Sequence, residues 1–109
     1  MKLNVQIDDA AHPISVPPEV LREAEDMFAK MDADMDGGWQ MSRQWVDKPN
    51  TTQRCQIVAD RLLTALESGN SKLAVMMAGY ILSRLPGVSA VNVDTQGDMT
   101  ATEILVDQG

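Results

Sequence analysis

The stretch from Leu73 to Leu82 runs Leu-Ala-Val-Met-Met-Ala-Gly-Tyr-Ile-Leu without a single charge. A helix with one apolar stripe can lie on a surface, but a helix apolar nearly all round must be buried, so the remainder of the chain has to wrap around it. The run is about half of the ~20 residues needed to cross a bilayer, so it reads as a core helix and no membrane association is expected. Ser71 supplies a cap for a helix over Lys72 to Leu85, and Pro86-Gly87 ends it. Ala74, Ala78 and Gly79 form a small-residue ridge on which another helix can pack closely.

What surrounds this helix is legible from periodicity. Leu3, Val5 and Ile7 alternate with Lys2, Asn4 and Gln6, which predicts a strand over Lys2 to Ile7. Asp8 to Pro17 is rich in turn formers and includes Pro13 and Pro17, so a loop is expected there. Pro18 suits the first turn of a helix, and Val20, Leu21, Ala24, Met27, Phe28 and Met31 follow at helical spacing, predicting a helix from about Pro18 to Met31. Ser42 can cap a short helix through Val46, stopped by Pro49, and Asn50-Thr51-Thr52 offers caps for a longer one to about Glu67, with Cys55, Val58, Leu62, Ala65 and Leu66 as its apolar stripe. Val88 to Val93 and Met99 to Val106 flank the turn chemistry of Thr95-Gln96-Gly97-Asp98, predicting a C-terminal hairpin. The expected fold class is α+β: a single domain over residues 1–109, with four helices packed on one face of a three-stranded sheet formed by the N-terminal strand and the C-terminal hairpin.

Composition narrows the function classes. The 109 residues are 44% hydrophobic and 23% charged, enough apolar content for a packed core despite a net charge of −7. That acidic balance, with no cluster of Lys and Arg, disfavours nucleic acid and anionic membrane surfaces as partners. Cys55 is the single cysteine, so no intrachain disulfide can form, and the opening residues alternate where an export signal needs a continuous apolar run. A reducing, cytoplasmic setting is therefore expected.

One segment carries pointed chemistry: Asp32-Ala33-Asp34-Met35-Asp36-Gly37. Calcium takes about six to eight oxygens, and a 12-residue loop can supply them from positions 1, 3, 5, 7, 9 and 12 with glycine at 6. Counted from Asp32, the three aspartates fill 1, 3 and 5, Gly37 fills 6, the Gly38 carbonyl fills 7 and Gln40 fills 9. Phe28 and Met31 precede the segment, and Trp39 takes the inward apolar place within it. On these residues the stretch from about Glu19 to Trp45 resembles a single EF-hand helix-loop-helix. The resemblance implies calcium as the ligand, held by Asp32, Asp34, Asp36, Gly38 and Gln40.

The sequence departs from that family at the last ligand, where Arg43 stands in place of a bidentate Glu. A cation cannot coordinate a cation, so calcium affinity should fall well below the sensor range. Three readings stay open: Arg43 folds back over the aspartates and replaces the ion; calcium binds weakly with help from Gln40, water and Asp47; or an Asp-Gly-rich turn simply joins two helices. EF-hands usually work in pairs, and Asp94 to Asp98 reads as a hairpin turn instead of a second loop. A lone hand would lean on another element or on a second copy of the chain, so the expected partner is an unidentified protein or a homodimer.

The remaining candidates have plainer readings. Eight methionines invite comparison with adaptable peptide grooves, but Met27, Met31, Met76 and Met77 fall where core residues are expected, leaving Met35 and Met41 as the exposed ones. Trp39 and Trp45 are expected to anchor the core beside the loop. Cys55 and His12 can be imagined as nucleophile and base, yet Cys55 shares a stripe with Val58 and Leu62 and reads as a buried apolar residue. One His and one Cys build no zinc site of the usual spacing, and Gly37-Gly38 lacks the Lys and Ser or Thr of a phosphate loop. The expectation is a non-enzymatic interaction or structural protein with a degenerate EF-hand-like loop and no cofactor. Weak divalent-metal binding is the alternative and a cysteine-dependent enzyme the third.

Overall fold

Alternation decides the first element. In the computed structural model, which describes residues 1–107, strand β1 (Lys2–Ile7) buries Leu3 and Val5 fully and leaves Lys2, Asn4 and Gln6 in water. The chain turns back at Asp8, whose φ is 55°, into strand β2 (Ala10–Ser15), paired antiparallel with β1. Pro13 argues for a loop here, and the register explains why a strand forms nonetheless. Met1 and Val16 exchange both backbone hydrogen bonds, at 2.8 and 2.6 Å. Bonded pairs alternate from there, so Asn4 and Pro13 stand opposite each other at a non-hydrogen-bonded position where the missing N–H costs nothing.

Two helices replace the single one expected from Pro18 to Met31. Helix α1 (Pro18–Glu23) and helix α2 (Glu25–Asp36) meet at Ala24, with φ −91° and ψ 1°. Hydrogen bonds from Ala24 N to Val20 O and from Phe28 N to Ala24 O, both 2.9 Å, carry the ladder across the joint. The second helix also runs past Met31 through all three aspartates, because Met35 extends the buried stripe of Phe28 and Met31 by one more turn.

The short helix expected over Ser42 to Val46 is a β-ribbon: strand β3 (Trp39–Met41) pairs antiparallel with strand β4 (Gln44–Val46). Ser42 sits at φ 59°, at the first position of the two-residue turn, where a left-handed residue is required. Instead of capping a helix, its hydroxyl donates to Gly97 O at 3.2 Å and accepts from Met99 N at 2.9 Å.

Helix α3 (Thr51–Glu67) starts on a reciprocal capping box. Asn50 Oδ1 accepts from Gln53 N at 2.8 Å and Gln53 Oε1 accepts from Asn50 N at 2.9 Å. Helix α4 (Ser71–Arg84) is capped by Asn70, which accepts from Leu73 N at 3.1 Å, one residue before the cap expected at Ser71. It lies at the centre of the core: Ala74, Met77, Ala78, Gly79, Tyr80, Ile81 and Leu82 are all buried. A Cβ on Gly79 would come 3.2 Å from the Phe28 ring, so the small ridge lets α2 approach.

Strand β5 (Val88–Val93) pairs parallel with β1 and antiparallel with strand β6 (Glu103–Val106); a short 3-10 turn (Met99–Ala101) occupies the expected start of the last strand. The class is α+β as expected, but the main sheet has four strands in the order β2-β1-β5-β6, and the ribbon forms a second sheet. Leu3, Val5, Ile14, Val91 and Val93 face the helices and are buried. Among the described residues, no helix is long and apolar enough to cross a membrane.

Candidate functional site

Helical spacing sorts the aspartates. Residues four apart on a helix share a face, whereas residues two apart point to opposite sides. Asp32 and Asp36 therefore turn together toward α3 and α4, while Asp34 turns into water. Carboxylates in the last turns of a helix oppose its dipole, and α2 has no basic residue of its own there. Arginines from the neighbouring helices supply the missing positive charge.

Asp32 is the hub. Its Oδ2 accepts from Arg84 Nε at 2.8 Å, and its Oδ1 accepts from the Tyr80 hydroxyl and from Arg54 Nη1 at 3.4 Å. Arg54 continues outward: Nη1 donates to the Asp32 backbone carbonyl at 3.2 Å, Nε to Pro49 O at 2.9 Å, and Nη2 to Asp36. Arg84 forks onto both Glu25 oxygens at 3.0 Å, and its guanidinium lies 5.4 Å from the Tyr80 ring centre and 5.8 Å from that of Phe28. One chain of charge thus runs Asp36–Arg54–Asp32–Arg84–Glu25 and ties α2 to α3 and α4. A cleft of about 350 Å³ opens over it, lined by Asp32, Pro49, Asn50, Arg54, Tyr80 and Arg84.

The electrostatics follow from these contacts. Burial works to raise the Asp32 pKa, but the donors Tyr80, Arg84 and Arg54 outweigh it and hold the carboxyl below its ordinary value. Burial, and then the Asp32 charge, raise the Tyr80 phenol, which stays protonated and keeps donating. Asp32 is consequently an ionised acceptor with both oxygens engaged, suited to fastening helices together and poorly placed to take a proton from a substrate.

The other expected site residues lie elsewhere. Gly38, at φ 102°, is pressed under the Trp45 indole; a Cβ there would stand 2.3 Å from the ring. Gln40 is exposed on β3 and donates to Ser42 O at 3.0 Å. Among the described residues, no three His, Cys, Asp or Glu side chains come together as a metal-ligand group. Arg43 is exposed at the ribbon turn beside Asp98, and the guanidiniums that meet the aspartates are those of Arg54 and Arg84. Met35 and Met41, expected to be exposed, are 2% and 1% exposed, whereas Trp45 is 57% exposed with Nε1 donating to Asp47 at 2.9 Å.

Cys55 is fully buried on α3, and its thiol is pushed up to about 12 by burial and by the charge of Asp32. His12 is exposed on edge strand β2. Sequence reasoning missed Glu25, Arg54, Tyr80 and Arg84. A signal existed for two of them: Tyr80 and Arg84 stand four apart near the end of an otherwise apolar helix, which is the spacing of one polar face.

Fold and site together define an α+β domain whose charged centre is an acid–arginine clamp between helices. Comparison with protein-family models, with curated proteins and with solved structures finds no match.

Proposed function

We propose that this chain is a non-enzymatic interaction or structural protein in which the aspartate-rich segment fastens the fold instead of gripping an ion. The observation that supports this reading is the Asp32 carboxylate, which accepts from Tyr80, Arg54 and Arg84 and so spends its oxygens inside the molecule. A calcium ion would have to displace guanidiniums already paired with the acids, and helical geometry would still leave Asp34 facing away. The buried thiol of Cys55, held protonated, is a poor nucleophile.

Calorimetric titration with calcium, followed in parallel by the fluorescence of Trp39 and Trp45, tests the reading. No saturable heat and no fluorescence change are expected up to millimolar calcium. The Arg43→Glu variant, which would complete a 12-residue ligand loop, is expected to gain no affinity. Saturable binding that Asp32→Ala abolishes would overturn the reading, as would rapid labelling of Cys55 in the native protein.

A further inference from the structure

The main sheet has two edges, β2 and β6, and an edge strand turns a row of backbone N–H and C=O groups outward. The two edges differ. On β2, alternation from the bonded pair Met1 and Val16 turns Ala11, Pro13 and Ser15 outward, so the centre of that row has no N–H to give. Proline at this place closes the edge to a further strand. On β6, Asp107 N donates to Gly87 O at 2.8 Å and Leu105 O accepts from the Ser89 hydroxyl at 3.2 Å, so these two residues turn their backbone groups toward β5. Ile104 and Val106 therefore turn theirs away from the sheet, and among the described residues no strand lies beyond them. Glu103 to Val106 contains neither proline nor lysine to guard the row, and Leu105 and Val106 are 44% and 40% exposed.

Charge selects the occupant. Glu103 stands on the outer face of the sheet opposite Asn92, and it shares a hollow of about 300 Å³ with Asp8 and Asp94. Asp8 accepts from the Thr95 hydroxyl at 2.9 Å, and Asp94 accepts from the Gln96 and Asp98 backbone at 3.0 and 2.8 Å. These donors are neutral, and among the described residues none of the three acids is in an ion pair. A second copy of the chain would bring the same net charge of −7 and the same Glu103 to this edge. A cationic strand brings the opposite sign. Alternating side chains then divide its contacts: basic residues lie on the outer face beside Glu103, and apolar ones on the inner face beside Ile104 and Val106.

We propose that the β6 edge accepts an extended segment of a partner protein, bearing lysine or arginine at alternate positions, as a fifth strand of the main sheet. Main-chain hydrogen bonds to Ile104 and Val106 hold such a segment, and Glu103 with its acidic neighbours sets its charge. The proposal deepens the interaction-protein reading by naming the kind of partner, and it rests on that reading.

The test titrates the full chain with the peptide acetyl-Lys-Val-Lys-Val-Lys-Val-amide and follows backbone amide exchange by NMR. Saturation by about 1 mM peptide is expected, with exchange at Ile104 and Val106 slowed at least about tenfold. Val106→Pro removes an outward N–H as Pro13 does on β2, and should weaken binding at least about tenfold. If that variant fails to fold, the peptide methylated at alternate backbone nitrogens makes the same test on the unaltered chain and should lose binding. Glu103→Lys should lower affinity for the lysine peptide and raise it for the counterpart with Glu in place of Lys. No protection at Ile104 and Val106, equal binding of the two peptides, or binding that survives both Val106→Pro and peptide methylation would each overturn the proposal. So would a dimer in sedimentation velocity that Val106→Pro dissolves, because the occupant is then a second copy. A chain that takes no peptide, binds no calcium and exposes no reactive thiol defeats the fifth strand alone. Saturable calcium binding by a chain that takes the peptide as described defeats the functional reading alone.

Discussion

The two ends of α4 solve opposite problems. At the C-terminal end, Tyr80 and Arg84 project from an apolar helix toward Asp32 and Glu25, and every charge finds a partner within the chain. At the N-terminal end, Val75 and Met76 floor a groove left open, rimmed by Glu23 and Lys72 in no ion pair among the described residues. The first arrangement is held at one point, because Arg54 and Arg84 share the Asp32 carboxylate and removing that acid leaves both short of an acceptor. The second leaves its apolar area and its charges open to water. Composition alone cannot distinguish them, since both ends mix apolar and charged residues; what differs is whether the partners lie inside the fold.

The comparison can be broken most forcefully at its hub. Asp32→Ala should destabilise the protein by about 3 kcal/mol in urea unfolding, because it leaves Arg84, Arg54 and the Tyr80 hydroxyl short of an acceptor at once. Tyr80→Phe keeps the ring against Phe28, which it meets edge-on at 5.9 Å between centroids, and removes one donor. A loss of about 1 kcal/mol is expected by the same measurement.

Acid should sharpen the contrast. The Asp32 pKa is lower in the folded chain than in the unfolded one, so its contribution to stability is fully present above the unfolded value and is lost as pH falls through the folded value. Stability of the parent chain should therefore decline on acidification below the ordinary aspartate range, and Asp32→Asn should show a shallower decline over the same interval. The smallest effect belongs to the open end. Lys72→Ala should change unfolding free energy by less than about 0.5 kcal/mol.

How much of this was legible before the structure depended on how far apart the partners lie in the chain. The buried helix through Ile81, the helix through Val58 and Leu62, and the strand of Leu3 and Val5 follow from local periodicity, and all three form. Strand β2 was hidden by Pro13, whose tolerance depends on hydrogen-bond register with β1. The β3–β4 ribbon was hidden because Ser42 is equally a helix cap and a turn residue; its contacts with Gly97 and Met99, far along the chain, select the turn. The aspartate segment repeats at spacing two in the sequence, the spacing of loop ligands. The structure uses spacing four, from Asp32 to Asp36, the spacing of a helix face. Nothing local announces that Arg54 and Arg84 meet these acids, because the contacts span 22 and 52 residues.

The central claim is that Asp32 and Arg84 act as one unit that holds α2 to α4. A double-mutant cycle on urea unfolding, using Asp32→Ala, Arg84→Ala and the double variant in calcium-free buffer, measures this directly. The account predicts a coupling energy of at least about 1 kcal/mol, with the double variant far less destabilised than the two single losses added together. Losses that add to within about 0.3 kcal/mol would contradict it.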